Sequence, residues 1–253
     1  MANVDLSIIC ACYNEGPTLE KSVNQIVRVL EKINKKWEIL FVEDKSTDDT
    51  KKTVEKLTEQ IKTTKAIYHA SNQGRGKTVA DGIKAAKGAI CGYLDVDLEV
   101  SCDYIPIFID EIEKGADMVV GKRFYEGGLK SVVRFLVSKI YAQIVKLLLK
   151  VPVEDTETGY KFFNRYKILP VLSKVRDKGW FWDTEICAWT YWAGLKISQV
   201  PVLFIRRSDK KSTVRLIPDT WNYFVKIVKF RSQIPNFSST TSSKRTTSEE
   251  LGP

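Results

Sequence analysis

The first half of the chain alternates between short apolar segments and longer segments in which apolar residues recur at helical spacing. A short apolar run bounded by polar turn residues predicts a buried strand, and helical periodicity predicts a helix with one apolar face. The predicted strands are 6–12, 38–42, 66–69 and 89–94, and the predicted helices are about 18–34, 46–61 and 77–86. This alternation is typical of an α/β domain with a mostly parallel sheet flanked by helices.

Charged residues follow each of these predicted strands. Glu15 comes after the first strand, Asp44 after the second, Arg75 after the third and Asp95 after the fourth. Ligands of open parallel sheets bind at the carboxyl ends of the strands, which lie along one edge. The sequence therefore predicts that these side chains converge on a ligand.

The second half of the chain predicts two amphipathic helices. Residues 131–150 place apolar side chains on one face and basic or polar side chains on the other, and residues 219–231 form a basic and aromatic helix. The Ser/Thr-rich segment 232–253 is predicted to be disordered. The predicted organisation is one domain over 1–231, composed of 1–121 and 122–231.

Composition restricts the possible partners and the cellular compartment. The chain has 253 residues, enough for one large α/β domain, and a formal net charge of +9. A basic surface favours nucleic acid, an anionic membrane or a phosphorylated substrate, and charge alone does not choose among them. The five cysteines show no CxxC spacing, which indicates buried reduced thiols and a cytoplasmic protein. We expect no signal peptide and no transmembrane segment in this chain.

The acidic run Asp95-Val96-Asp97-Leu98-Glu99 after the fourth predicted strand is a candidate metal site. Carboxylate oxygens suit Mg²⁺ or Mn²⁺ held jointly with substrate phosphates. We expect the carboxylates of Asp95 and Asp97 to share one ion only where the regular strand breaks into a loop. Glu99 is the third candidate ligand. The alternative is that these acids simply close a strand.

Other residues after the strands are candidates for binding a nucleotide. Glu15 and Asp44 carry carboxylates that accept hydrogen bonds from a ribose or a base edge. The glycines of the 72–77 loop allow the backbone to approach a phosphate, and Arg75 and Lys77 add positive charge. The competing interpretations are favourable acidic charge at a helix N-terminus and an ordinary tight turn.

Eight motifs in chain order carry a family resemblance. They are Tyr13-Asn14-Glu15, Val42-Glu43-Asp44-Lys45-Ser46-Thr47-Asp48, Asn72-x-Gly74-x-Gly76, Asp95-x-Asp97-x-Glu99, Gly121-Lys122-Arg123-Phe124, Arg134-x-x-x-Ser138-Lys139, Asp155-x-x-Thr158-Gly159-Tyr160-Lys161-Phe162-Phe163 and Phe181-Trp182-Asp183-x-Glu185. Over residues 6–231 this set resembles the family 2 glycosyltransferases, and among them the polyprenyl-phosphate hexosyltransferases such as dolichol-phosphate mannose and dolichyl-phosphate glucose synthases. The resemblance implies the GT-A fold, a Rossmann-like, mostly parallel sheet, with amphipathic interface helices toward the C-terminus.

The resemblance also implies an activity: inverting, metal-dependent transfer of a hexose from UDP-glucose or GDP-mannose to a polyprenyl (dolichyl) phosphate, in protein glycosylation. A lipid phosphate is already largely ionised near neutral pH and needs cations rather than a general base. We therefore expect a peripheral protein on the cytosolic face of a membrane, with no nucleic-acid partner.

Individual residues receive roles from the same resemblance. The implied donor-binding residues are Ala11, Tyr13, Glu15, Asp44, Arg75, Lys77 and Asp95, with Asp95, Asp97 and Glu99 as metal ligands. The implied acceptor-phosphate residues are Arg123, Arg134, Ser138, Lys139, Arg207 and Ser212. Asp97, Arg123, Asp183 and Glu185 are the implied catalytic residues; Asp183 and Glu185 would fix the acceptor-side cations, or one would act as base for a hydroxyl acceptor.

Departures from the family pattern and alternative functions stay open at this point. Ala11 stands where the family usually has proline, Glu43 replaces the commoner aspartate, and Arg75 replaces lysine. The helix 131–150 fits either a membrane interface or core packing. The alternative functions are transfer to a soluble or glycan hydroxyl, and a basic module that binds membrane or nucleic acid without catalysis.

Overall fold

The computed structural model describes residues 4–125, 141–206 and 216–232. Its described strands form one seven-stranded sheet of order β3-β2-β1-β4-β6-β5-β7. The strands are β1 Leu6–Cys12, β2 Trp37–Glu43, β3 Thr64–Tyr68, β4 Ile90–Leu94, β5 Met118–Tyr125, β6 Tyr160–Asn164 and β7 Ile197–Phe204. β6 runs antiparallel to β4 and β5, and the other neighbouring pairs are parallel. The predicted α/β fold with a mostly parallel sheet is confirmed.

Helices follow the strands in the predicted alternation. They are α1 Gly16–Leu30, α2 Thr50–Gln60, α3 Arg75–Ala85, α4 Ile105–Glu113, α5 over residues 141–149, α6 Arg165–Leu172, α7 Trp182–Trp192 and α8 Leu216–Ser232. α5 coincides with the end of the predicted helix 131–150, whose earlier part lies outside the described residues. α8 contains the predicted helix 219–231. Among the described residues, no helix is both long and apolar enough to cross a membrane.

The chain divides into two compact units, residues 1–211 and residues 212–253. The sheet and the helices through α7 belong to the first unit, and α8 belongs to the second. The predicted division at residues 121 and 122 stays a prediction, and the predicted disordered tail lies outside the described residues from 233 onward.

The core lies on both faces of the sheet in the first unit. Every residue of β4 and nearly every residue of β1 and β2 is buried, which explains why these strands read as continuous apolar runs rather than as alternating ones. α3 packs closely on this sheet: a Cβ atom added at Gly82 would lie only 2.4 Å from a methyl carbon of Ile9. All five cysteines are buried and free, so the prediction of buried reduced thiols is confirmed.

Candidate active site

The carboxyl ends of the parallel strands lie along one edge of the sheet. β6 runs the opposite way and begins at this edge, where Tyr160 pairs with Leu94 at the end of β4. The segment before β6, residues 155–159, therefore joins the residues that follow β1, β2 and β4. Side chains from both halves of the chain meet at this edge.

Asp44 is buried directly after β2, and its carboxylate accepts three hydrogen bonds. Oδ1 accepts from His69 Nδ1 and from the Gln73 backbone N–H, both at 2.7 Å, and Oδ2 accepts from the Gly74 N–H at 2.9 Å. Gly74 has a φ of 92°, a left-handed conformation that glycine adopts without a steric penalty. Asp44, a predicted nucleotide ligand, thus also holds the glycine loop in place.

His69 connects this loop to α3. Its Nε2 lies 3.2 Å from Asp81 Oδ2, and Asp81 also forms an ion pair with Lys77. Lys77 lies in the first turn of α3 with 34% of its side chain exposed, so its ammonium group is paired yet accessible. Its predicted contact with a phosphate stays a prediction.

The Tyr13-Asn14-Glu15 motif is tied to the segment after β2. Asn14 has a φ of 56°, and its Oδ1 accepts from the Thr47 backbone N–H at 2.9 Å. The Glu15 backbone N–H donates to Thr50 Oγ1 at 2.8 Å. The motif therefore has a structural function, because it fixes the turn between β1 and α1 against the neighbouring loop.

Two further predicted donor-binding residues lie beside Asp44 in the fold. Ala11 lies in β1 next to Val42 of β2, and Tyr13 follows β1 with 46% of its surface exposed. The structure thus places Ala11, Tyr13 and Asp44 at the ends of adjacent strands. Their contacts with a nucleotide stay predictions.

Arg75, the first residue of α3, connects the acidic run to α7. Its Nη2 donates to Asp95 Oδ1 at 2.6 Å, and its Nη1 donates to Asp183 Oδ2 at 2.5 Å. The guanidinium also lies 4.8 Å from the ring centroid of Trp180, which is 56% exposed. Burial opposes the charge, but the two carboxylates outweigh it and raise the pKa of Arg75 well above its usual value. Arg75 is therefore a permanent cation beside Asp95.

Asp183 is buried and is the anchor of this cluster. Its Oδ1 accepts from Lys161 Nζ at 2.6 Å and from the Tyr93 hydroxyl, while Oδ2 is bound to Arg75. Lys161 is fully buried and also donates to the Thr158 carbonyl. Among the described residues Asp183 binds the cations Arg75 and Lys161, and its predicted role toward the acceptor-side cations stays a prediction.

Glu185, predicted to be catalytic, binds the loop before α7. Its Oε1 accepts from the Arg176 backbone N–H at 3.1 Å and its Oε2 from the Asp177 N–H at 2.8 Å. Burial raises the pKa of Glu185, and the two N–H groups counteract the rise. The geometry gives Glu185 a structural role in holding this loop, and its predicted catalytic role stays a prediction.

Gly159 allows the segment before β6 to pass directly over the acidic run. The Asp95 N–H donates to the Gly159 carbonyl at 3.0 Å. A Cβ atom added at Gly159 would lie 1.8 Å from Asp95 Oδ2 and 2.6 Å from Arg75 Nη2. Only glycine leaves room for the Asp95 carboxylate and its arginine partner at this position.

The acidic run leaves the strand immediately, as the metal hypothesis requires. β4 ends at Leu94, the Leu98 N–H donates to the Asp95 carbonyl at 3.1 Å, and Leu98 has a φ of 53°. Loss of water raises the pKa of Asp95 above its usual value; Arg75 opposes the rise, and the negative charge of Asp97 adds to it. Asp95 and Asp97 are thus close enough to repel each other, and a divalent cation between them would relieve that repulsion.

Glu99 does not form a three-carboxylate group with Asp95 and Asp97 in the described part of the chain. Its backbone N–H donates to Asp97 Oδ1 at 3.3 Å, and its carbonyl accepts from Ile205. Among the described residues no three histidine, cysteine, aspartate or glutamate side chains converge on one point. The predicted ligand set of Asp95, Asp97 and Glu99 is therefore not a preformed site, and a cation held there would need oxygen atoms from substrate or water.

Arg123, predicted to bind the acceptor, lies near the end of β5. Its Nε and Nη2 donate to the two oxygens of Asp155 at 2.7 and 2.8 Å. Burial acts to raise the pKa of Asp155, but Arg123 outweighs it and holds the pKa below its usual value. Burial raises the pKa of the nearby Glu157 to about 7, with Arg123 opposing the rise and Asp155 adding to it. This arrangement places a fixed cation beside a carboxyl whose pKa lies near neutral pH, and the predicted contact of Arg123 with an acceptor stays a prediction.

The remaining predicted acceptor residues lie outside the described residues. They are Arg134, Ser138, Lys139, Arg207 and Ser212. Their roles stay predictions.

The outer parts of β5 and β7 expose an apolar surface at the same edge of the sheet. Phe124 and Leu203 are paired neighbours in these strands, and their exposed fractions are 48% and 36%. Ile205, two residues beyond Leu203, is 60% exposed. We call the surface of these three residues the apolar strand face.

Several residues of the site were not assigned roles from the sequence. Asp155 and Gly159 belong to the motif that begins at Asp155. Their contacts with Arg123 and Asp95 become evident only when the structure shows that β6 begins beside Asp95. Glu157 occupies an unspecified position of that motif. His69 is the only histidine of the chain, and this was the one signal that the sequence offered for it.

With the fold and this cluster in place, comparison with known proteins identifies the class. Residues 7–172 match the model of glycosyl transferase family 2, so the chain belongs to that family. This confirms the family predicted from the motifs and, with it, the enzyme class of glycosyltransferase.

Two individual relatives show how similar this chain is to known glycosyltransferases. The chain is 26% identical over 215 residues to glycosyltransferase AglD of Haloferax volcanii, covering 83% of this chain and 34% of that protein. It is 27% identical over 219 residues to a dolichyl-phosphate beta-glucosyltransferase of Saccharomyces cerevisiae, covering 78% of this chain and 66% of that protein. The chain thus spans about a third of the first relative and about two thirds of the second.

Solved structures confirm the GT-A type of architecture. Glucosyl-3-phosphoglycerate synthase from Mycobacterium tuberculosis in complex with UDP superposes with a TM-score of 0.68 at 18% identity, covering 92% of this chain and 82% of that one. The same enzyme in complex with Mn²⁺, UDP-glucose and phosphoglyceric acid gives a TM-score of 0.67 at 17% identity, covering 92% and 81%. At this identity the likeness establishes the fold alone.

Proposed function

We propose that this protein transfers glucose from UDP-glucose to a polyprenyl phosphate, with inversion at the anomeric carbon and with Mn²⁺ or Mg²⁺ as cofactor. The observation that carries the proposal is the cluster of Asp95, Asp97 and Arg75 under Gly159. It combines two mutually repelling carboxylates with a permanent cation at the carboxyl edge of the sheet. This pairing suits a diphosphate bound together with a divalent cation.

The hydrogen-bonding capacity of Asp44 favours a uridine donor over a guanosine donor. A carboxylate has about four acceptor positions, two on each oxygen. Oδ1 already accepts from His69 and Gln73, whereas among the described residues Oδ2 accepts only from Gly74. One acceptor position therefore remains, which fits the single ring N–H of uracil better than the two adjacent donors of guanine. The similarity to the yeast dolichyl-phosphate beta-glucosyltransferase supports the same choice.

Arg123 and the apolar strand face support a lipid-linked phosphate as acceptor. Arg123 is a partly buried cation whose charge is maintained by Asp155, so it can hold an anionic group without losing its own proton. Phe124 follows it directly and belongs to the apolar strand face, so a phosphate at Arg123 has an apolar surface beside it. A membrane surface supplies both a phosphate and an apolar chain.

The reaction we propose is a single in-line displacement. A phosphate oxygen of the acceptor attacks the anomeric carbon, the bond from that carbon to the β-phosphate oxygen breaks, and UDP leaves with the electron pair. Asp95 and Asp97 fit a divalent cation, which when bound stabilises the charge of the departing diphosphate. Arg75 lies in place to share that charge, and Asp183 and Lys161 hold Arg75 in position. No general base is needed, because the acceptor phosphate is already ionised.

The proposal places the protein on the cytosolic face of a membrane, with the helix 131–150 and α8 at the interface. The predicted acceptor residues, the cations Arg134, Lys139 and Arg207 with the neutral Ser138 and Ser212, would complete the acceptor site there. These assignments extend the sequence-based expectation.

The test combines donor binding with transfer. Thermal shift with UDP, GDP, UDP-glucose and GDP-mannose, each with Mn²⁺ or Mg²⁺, should show the largest stabilisation for a uridine nucleotide with metal. Transfer from radiolabelled UDP-glucose to a short polyprenyl phosphate should then depend on the cation. Asp97→Ala and chelation should each abolish it, whereas Asp103→Ala, an acidic residue in the next turn, should leave it intact.

The alternatives predict different outcomes of the same assays. Transfer to a soluble sugar or phosphorylated small molecule, with none to the lipid phosphate, would identify a soluble-acceptor enzyme. Intact transfer after Asp97→Ala and chelation would contradict the metal assignment. Vesicle or nucleic-acid binding that survives Asp97→Ala, without nucleotide binding by the wild type, would indicate a non-catalytic basic module.

A further inference from the structure

The single histidine of the chain has no role in the reaction proposed above, yet it lies between two carboxylates at the nucleotide side of the site. His69 Nδ1 is 2.7 Å from Asp44 Oδ1, and its Nε2 is 3.2 Å from Asp81 Oδ2. Only 10% of its side chain is exposed. It follows β3 directly, and its backbone N–H donates to the Glu43 carbonyl at 2.9 Å. Both its backbone and its ring are therefore held in place.

The hydrogen-bond direction at Asp44 follows from the chemistry of the groups. An ionised carboxylate only accepts, so the hydrogen of the short contact belongs to His69 Nδ1. Together with the Gln73 N–H, this bond uses both acceptor positions of Oδ1. His69 thus leaves only Oδ2 of Asp44 able to accept from a ligand.

We propose that His69 is a positioning residue that determines nucleobase specificity, because it occupies Asp44 Oδ1 and leaves one acceptor position for the base. The inference rests on the proposed function, in which Asp44 accepts from the nucleobase. With His69 in place, Asp44 pairs with the single ring N–H of uracil. Without the His69 bond, both oxygens have one acceptor position each, and a purine with two adjacent donors can bind them together.

Two substitutions separate the two contacts of the imidazole. Asparagine places its amide nitrogen near the position of Nδ1, so His69→Asn keeps a donor for Asp44 but does not reach Asp81. Glutamine reaches the position of Nε2, so His69→Gln keeps a contact with Asp81 but leaves Asp44 Oδ1 with an open position. The pair therefore distinguishes occupation of Asp44 from general packing of the imidazole.

The experiment measures the dissociation constants of UDP and GDP by calorimetry, with Mn²⁺, for the wild type and both variants. We expect the wild type and His69→Asn to prefer UDP. We expect the preference to fall about tenfold in His69→Gln, since one hydrogen bond to a charged group typically contributes about that factor. If His69 had a merely structural role, His69→Gln would bind UDP and GDP more weakly by the same factor. The ratio of the two dissociation constants would then be unchanged, and that outcome would overturn the inference.

The remaining outcomes separate this inference from the proposed function. A wild type that binds UDP in preference, together with an unchanged ratio in His69→Gln, overturns the role of His69 and leaves the proposed function standing. A wild type that binds neither nucleotide overturns both. If circular dichroism shows that His69→Gln does not fold, a crystal structure of the wild-type complex with UDP tests the inference instead. A base N–H on Asp44 Oδ2 with His69 still on Oδ1 supports the inference, and a base on Oδ1 with His69 displaced contradicts it.

Discussion

At the scale of single residues, the site depends on close approaches that leave no space for a larger side chain. Gly159 is the clearest case, because the Asp95 carboxylate occupies the space that any Cβ would take. Asp44 is a second case, since its acceptor positions are nearly all used within the protein. Small changes at such positions are expected to affect activity more than stability.

Gly159→Ala should reduce kcat/KM for transfer by about 100-fold, because displacing a reacting group by about 1 Å has effects of that size. The added methyl group would push Asp95 away from Arg75. Steady-state kinetics with a short polyprenyl phosphate measures the loss. Gly121→Ala is the matched control, since its Cβ would approach no atom closer than 3.2 Å. Full activity of Gly159→Ala would show that the position of Asp95 is not required.

Glu157 should make acceptor binding depend on pH. Its pKa is raised to about 7 by burial, so the carboxyl is neutral below that pH and negatively charged above it. The charge that appears above pH 7 repels a phosphate bound near Arg123. The KM of the wild type for the acceptor, divided by that of Glu157→Gln, should rise from about 1 at pH 6 to about three- to tenfold at pH 8.5.

The acceptor phosphate also titrates in this pH range, but it changes the KM of both proteins equally. Dividing the two KM values therefore cancels its effect. Glu154→Gln, whose carboxylate is paired with Lys122 at the surface, serves as the control and should give a pH-independent ratio. A flat ratio for Glu157→Gln would mean that Glu157 does not face the acceptor.

At the scale of elements, β6 joins the two halves of the site. It is the strand that runs against its neighbours, so it begins at the edge where the parallel strands end. It carries Lys161 from the interior to Asp183 of α7, and α7 in turn holds Arg75 at the start of α3. The position of Arg75 beside Asp95 therefore depends on a helix and a strand that are distant in sequence.

Lys161→Met should lower the free energy of unfolding by about 2 kcal/mol, since it removes one charge-assisted hydrogen bond from the buried Asp183, which keeps Arg75 and Tyr93 as partners. Lys161 and Asp183 are both almost completely buried. Urea denaturation measures the change. Lys122→Met is the control, because the Lys122–Glu154 pair is partly exposed and is expected to contribute less than about 1 kcal/mol. Equal losses in the two variants would contradict the view of Lys161–Asp183 as a central anchor.

At the scale of the whole molecule, the residues predicted to bind donor and acceptor share one edge of the sheet. Asp44 and the glycine loop lie at the β2 end, the acidic run lies at β4, and Arg123 and the apolar strand face lie at β5 and β7. In the proposed function, this order would place the nucleotide and the phosphate acceptor on opposite sides of the acidic run. A lipid acceptor would then reach the site from the membrane without crossing the nucleotide pocket.

The double variant Phe124→Ser with Ile205→Ser should weaken binding to vesicles of phosphatidylcholine and phosphatidylserine about tenfold or more, because each buried apolar side chain contributes about 1.5–3 kcal/mol. Vesicle co-sedimentation measures the affinity. The thermal shift with UDP and Mn²⁺ should change little, because neither side chain belongs to the catalytic cluster.

Ile107→Ser on α4 is the matched control for this experiment, since Ile107 and Phe124 have the same exposed fraction of 48%. If the control weakens vesicle binding as much as the double variant, binding does not involve the apolar strand face specifically.

The sequence by itself determined the class of fold, the family and the convergence of strand-end residues. Buried parallel strands require continuous apolar runs, and their carboxyl ends share one edge, so Asp44, Arg75 and Asp95 were placed correctly from periodicity alone. Boundaries of the predicted strands also agree closely with β1 to β4, because apolar runs and turn residues mark them locally.

Only the tertiary structure decided which partners those residues have. The contacts of Arg75 with Asp183, of Asp44 with His69 and of Arg123 with Asp155 span 108, 25 and 32 positions of sequence. No local pattern encodes such contacts, because they arise from the reversed direction of β6 and from the packing of α3 and α7 over the sheet. For the same reason the sequence did not indicate that the Glu185 carboxylate binds the backbone of a loop.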